Sequence, residues 1–118
     1  MLQIISSGSV KAILVDREKL IENLKKISEE IKSNFEYVKS IILFGSLAQN
    51  TQRGTSDVDL IVTVEKFNKE NFWEIYGELY NFIAEKVDTG FDLLIMEDEE
   101  FKKRKDKFGD FLILWANT

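Results

Sequence analysis

The chain switches between two hydrophobic rhythms. From Asp16 to Phe35, Leu20, Leu24, Ile27, Ile31 and Phe35 recur three or four positions apart, with lysines and glutamates between them. That spacing gathers them on one side of a helix, and Asp16 stands where an N-cap is expected. From Tyr37 to Phe44 the run Tyr-Val-Lys-Ser-Ile-Ile-Leu-Phe predicts a strand that becomes fully buried at its end and is closed by Gly45. Ser46 to Asn50 predicts a short helix, followed by a polar loop with Thr51, Arg53 and Gly54. Val58 to Val64 has the β-branched density of an interior strand.

The second half repeats the alternation. Asn68 to Val87 predicts a helix whose apolar side carries Phe72, Ile75, Tyr76, Leu79, Phe82 and Ile83, spaced to lie against a sheet. Phe91 to Met96 predicts a third strand, Glu97 to Lys107 a charged helix and Phe111 to Trp115 a fourth strand. In the charged helix the acids precede the bases, the order that the helix dipole favours, which predicts a solvated helix. For Trp73 and Trp115 the sequence leaves core and interface both open, with core the default for apolar-face aromatics. Leu2 to Ile5 and Val10 to Val15 flank Ser6, Ser7, Gly8 and Ser9, predicting an N-terminal hairpin or an added edge strand. The whole predicts an α/β or α+β sandwich with helices covering a sheet. No proline or Gly/Ser-rich tract marks a linker, so residues 1–118 are expected to form a single domain, with 1–15 as an N-terminal extension.

Composition narrows the chemistry. The 118 residues contain no cysteine and no histidine, which excludes disulfides, thiolate and imidazole metal sites, and histidine-based triads. Catalysis must rest on carboxylates, hydroxyls, lysine, arginine or backbone amides. The net charge of -5 opposes a broad grip on long nucleic acid, which needs a basic face. No apolar stretch approaches the ~20 residues that cross a bilayer, and no signal segment opens the chain. A cytoplasmic protein is expected, without membrane attachment or extended nucleic-acid binding.

Against that background, acids inside apolar strands are the informative feature. Asp57 and Asp59 are two apart, so in a strand their carboxylates share a face. Asp92 sits between Phe91 and Leu93, where burying a carboxylate without a partner is costly. Three acids on neighbouring strands repel one another unless a cation lies among them. Magnesium suits such a site, because it takes oxygen ligands and keeps positions for water and phosphate. Gly45-Ser46 lies where a buried strand turns into a short helix, so backbone and hydroxyl could receive a phosphate. Each feature also has a plain structural alternative: Ser46 as an N-cap, Asp57 as the residue opening a strand, Asp92 on an exposed strand end.

Leu43-Phe44-Gly45-Ser46, ten further residues and then Asp57-Val58-Asp59-Leu60 together resemble the signature of the polymerase-β-like nucleotidyltransferase superfamily, especially its minimal nucleotidyltransferase branch. Phe91-Asp92-Leu93-Leu94 is similar to the strand carrying that family's third acid, and Phe111 to Trp115 resembles its last strand. The resemblance covers about residues 20 to 118. Gln49 and Asn50 stand where the family often has an arginine and a glycine. The resemblance implies a mixed β-sheet covered by helices. It also implies that Gly45 and Ser46 contact a triphosphate, that Asp57 and Asp59 hold magnesium, and that Asp92, a third ligand or base, helps to activate the attacking hydroxyl.

The expected reaction is transfer of a nucleoside monophosphate, AMP above all, from a triphosphate such as ATP to a hydroxyl. Members of the minimal branch resemble antitoxins that pair with helical HEPN-domain proteins, so a HEPN-type partner is the expected acceptor. Two alternatives stay open, a transferase acting on an antibiotic or metabolite, and a non-catalytic module of the same fold that binds its partner by contact. A homo-oligomer is compatible with either.

Overall fold

The computed structural model describes residues 2–7, 10–15, 17–45, 58–87 and 90–116. Strands β1 (Leu2–Ser7) and β2 (Val10–Val15) pair antiparallel from Leu2 opposite Val15 to Ser7 opposite Val10. They form a two-stranded sheet of their own, so the N-terminal segment is a hairpin and not a strand added to the main sheet. Helix α1 (Arg17–Asn34) follows, then β3 (Val38–Phe44), β4 (Val58–Val64), α2 (Phe72–Lys86) and β5 (Phe91–Glu97). The chain continues through α3 (Asp98–Arg104), a 3-10 turn over Lys105–Phe108, and β6 (Leu112–Ala116). The expected α+β architecture is present: a mixed sheet in the order β5-β4-β3-β6, with three helices among the described residues.

β3 is antiparallel to β4 and β6, whereas β4 and β5 are parallel. A parallel pair cannot be joined by a tight turn, and α2 supplies the crossover. Alternation along the strands then gives the sheet two different faces. One carries Leu43, Val58, Leu60, Val62 and Ile95, which pack with Leu20, Leu24 and Ile31 of α1 and Leu79 and Ile83 of α2. The opposite face carries Ile42 and Ile61, covered by Phe101 of α3 with Phe44, Met96, Phe108 and Phe111 around them. This second cover is short, and Ile113 and Leu94 are left 55% and 39% exposed.

The boundaries that differ from the sequence expectations have local causes. The helix expected from Asn68 is regular only from Phe72. Before it, the Asn68 N–H donates to Asn71 Oδ1 at 2.8 Å and the Asn71 N–H donates to Asn68 Oδ1 at 2.9 Å. This reciprocal pair resembles a capping box, with asparagine at both ends. The charged helix expected to reach Lys107 tightens into the 3-10 turn at Lys105, and Gly109 ends it with a φ of 67°. Its outer surface is solvated as expected, with Phe101 as its buried anchor.

The default core placement is overturned for Trp73: its side chain is 71% exposed. It lies on the flank of α2 that overhangs β5, the outermost strand, so no further strand lies there to cover it. Trp115 does pack against the core, with Lys32 Nζ 5.5 Å above its ring. Asp16 and the expected helix from Ser46 to Asn50 lie outside the described residues, as do Thr51, Arg53 and Gly54 of the loop.

Candidate active site

The sheet register sets out the site. Phe44 is the antiparallel partner of Asp59, and Asp59 is the parallel partner of Asp92. The three residues stand abreast across β3, β4 and β5, on strands about 4.8 Å apart. Val58 and Leu60 on either side of Asp59, and Phe91 and Leu93 on either side of Asp92, pack toward α1 and α2. Alternation therefore directs both carboxylates to the opposite face. The start of the ladder is pinned where the Val58 N–H donates to the Gly90 carbonyl at 3.1 Å.

Asp59 is half-buried and Asp92 exposed. The cost anticipated for a buried carboxylate at position 92 does not arise. Phe91, Leu93 and Ile95 of β5 enter the helix-covered core, while Asp92 opens onto solvent. Asp92 has an exposed place near the strand start.

Gly45 adjoins Asp59. Its φ is 77°, in the left-handed region that side-chain-bearing residues rarely adopt. A Cβ built there would overlap Asp59 Oδ2 and lie 3.1 Å from Asp59 Cγ and 3.3 Å from Asp59 Cβ. Glycine is therefore required twice, by the turn and by the carboxylate. This crowding draws the backbone leaving β3 onto the acid row.

Gly45, Asp59 and Asp92 are thus brought together from three strands. Ser46 and Asp57 lie outside the described residues, as do Gln49 and Asn50. Among the described residues no group of three or more Asp, Glu, His or Cys is placed to hold a metal ion. The two acids that are described fit a hard divalent cation by chemistry. They are oxygen donors in register on neighbouring strands, and magnesium takes oxygen ligands while retaining water and phosphate.

Further along the same face lies a polar network not anticipated from sequence. Thr63 is fully buried and Ser40 nearly so. Their hydroxyls are hydrogen-bonded to each other, and Thr63 Oγ1 donates to Asp98 Oδ1 at 3.2 Å. Asp98 also pairs with Lys102 at 3.1 Å. The signal was present as single hydroxyls at positions 40 and 63 within apolar strands. The network ties β3 and β4 to α3 and steadies the cover beside the acid row.

The fold and this acid row define a nucleotidyl-transferring domain, and the comparisons with known proteins agree. The family model described as "Nucleotidyltransferase domain" matches residues 24–113. The chain belongs to that family and is a nucleotidyltransferase. It is similar to two proteins of Methanocaldococcus jannaschii. It is 41% identical over 68 residues to "Putative protein adenylyltransferase MJ1215", a match covering 57% of this chain and 78% of that protein. It is 33% identical over 73 residues to "Putative protein adenylyltransferase MJ0126", covering 62% and 70%. In fold it is similar to the crystal structure of a "putative nucleotidyltransferase" from Sulfolobus solfataricus. That match has a TM-score of 0.61 and 21% identity, over 86% of this chain and 84% of the other.

Proposed function

We propose that this nucleotidyltransferase moves AMP from ATP to a hydroxyl of a partner protein, with magnesium held by Asp57, Asp59 and Asp92. The observation that carries the proposal is the meeting of Gly45, Asp59 and Asp92 at one end of the sheet face. Magnesium, when bound, supplies the positive charge that the triphosphate requires. The chain's own residues do the rest. Backbone amides after Gly45 and the Ser46 hydroxyl receive phosphate oxygens. Asp92, the most accessible of the described acids in this row, accepts the proton of the incoming hydroxyl. The acceptor oxygen then bonds to the α-phosphorus as the bond from that phosphorus to the bridging oxygen breaks, and pyrophosphate leaves. Positioning and charge supply most of the acceleration.

A protein acceptor is favoured over a small molecule by the printed names of the archaeal relatives, which carry the words protein adenylyltransferase. In this reading the acceptor comes from a second chain. The resemblance to the minimal branch makes a HEPN-type protein that partner, and this chain the antitoxin of the pair.

The test is transfer of label from α-labelled ATP with magnesium, using the chain together with proteins that co-purify with it and, separately, small hydroxyl acceptors. Label on a co-purified protein, absent with the Asp57→Asn, Asp59→Asn variant, is expected. Label only on small acceptors would move the proposal to the metabolite transferase. Partner neutralisation by the double variant at full strength, without transfer, would replace it with the contact-only module.

A further inference from the structure

One surface of the molecule is left without a function by the site just described. Along α2 the rings of Trp73, Tyr76 and Tyr80 follow one another at centroid distances of 5.7 and 5.8 Å, and Tyr80 continues to Phe91 of β5 at 4.8 Å. Trp73 is 71% and Tyr80 38% exposed. These rings run beside β5, the edge strand of the sheet. The run ends at Phe91, on the helix-covered face of β5, whereas Asp92 opens on the other face.

Gly77 lies among these rings. It is inside the 15-residue helix, where glycine is less favourable than alanine, and a Cβ there would meet nothing within 4 Å. Nothing inside this chain requires the missing side chain. A gap in an otherwise bulky face allows another backbone to approach closely, as small residues do where helices pack. Charge indicates what could approach. Glu74 and Glu78 border Gly77 on the flank of α2 toward Tyr37, whose hydroxyl contacts Glu78, and the whole chain carries a net charge of -5. A second copy would bring acid against acid, whereas a helix with basic flanks would meet complementary charge.

The geometry points to the Trp73–Gly77–Tyr80 face of α2 as the docking surface for an amphipathic helix of a partner protein, with an apolar seam and basic flanks. The helix lies along α2 with its backbone over Gly77, at the open edge of β5. This rests on the transferase proposal only for calling that partner the acceptor; the docking stands apart from it.

The experiment uses the full chain and fluorescently labelled peptides of about 15 residues, the length of α2. One is a leucine-lysine amphipathic helix containing a tyrosine, one its leucine-glutamate counterpart, and one the leucine-lysine peptide broken by central prolines. Binding is followed by anisotropy without nucleotide. The unbroken leucine-lysine helix is expected to bind about tenfold more tightly than either control, and Trp73→Ser or Gly77→Gln to remove about that factor. Circular dichroism and metal-dependent ATP binding of both variants should stay at the parent level. Equal binding of the proline-broken or acidic peptide, or binding indifferent to both variants, would overturn the proposal. So would self-association in sedimentation that shields Trp73 from acrylamide. Peptide binding is read without ATP, so failure of docking leaves the transferase proposal standing. Docking without label transfer to any acceptor overturns only the latter.

Discussion

The space that a side chain at Gly45 would need is already filled by the carboxylate of Asp59. Gly45→Ala should therefore carry two penalties. The left-handed backbone alone costs about 1–2 kcal/mol, and the Asp59 carboxylate must also move out of its row. The expected outcome is a lower melting temperature together with loss of metal-dependent ATP binding. A variant that melts lower yet binds ATP normally would show that the turn matters only for folding.

Asp59 and Asp92 face each other across parallel strands, and like charges in register oppose pairing. Asp92→Asn should raise stability in metal-free buffer by up to about 1 kcal/mol, measured by urea denaturation, while abolishing transfer. Magnesium should raise the melting temperature of the parent chain, since it binds only the folded form, and raise that of the variant much less. Equal magnesium responses would remove Asp92 from the metal site.

Gly77→Ala has the opposite sign from Gly45→Ala. The added methyl meets nothing and the helix gains intrinsic propensity, so stability should rise by about 0.5–1 kcal/mol in thermal or denaturant unfolding. Unchanged or lower stability would mean that a contact exists on that face in the free protein.

Tyr37 gives the fold a limit at alkaline pH. Burial chiefly, and then the Glu78 carboxylate that its hydroxyl contacts at 3.3 Å, push its pKa up to about 12 from an ordinary 10. The unfolded chain loses this proton first, so the contribution to stability is complete below pH 10 and falls away as pH rises through about 12. Ultraviolet titration should show a late tyrosinate step that Tyr37→Phe removes, and the variant should lose less stability across that window.

Much of the acid row was legible because it broke a strong pattern. Asp59 interrupts a β-branched run and Asp92 an apolar one, which marks both as candidates, but that they share a face follows from the register of β4 and β5. The row itself depends on which strands are neighbours and whether they run parallel. That is decided by crossover geometry and packing, and no residue in β4 or β5 states it. Trp73 was misplaced for a related reason. It lies about 100° around the helix from Phe72, close to the core arc, and only the position of β5 at the sheet edge leaves it uncovered. The start of α2 was hidden by Asn68 and Asn71, whose paired side-chain bonds close a turn that pattern alone counts as helix.

The parallel ladder between β4 and β5 acts as a gauge for the two acids. Changes in length between Val64 and Phe91 can be absorbed by the turns around α2 without touching their alignment. A one-residue slip of β5 against β4 cannot be absorbed in that way. It would rotate Asp92 into the hydrophobic interior and bring Phe91 or Leu93 out in its place. Selection on this chain should therefore tolerate insertions near the ends of the crossover helix and reject them within the seven residues of β5.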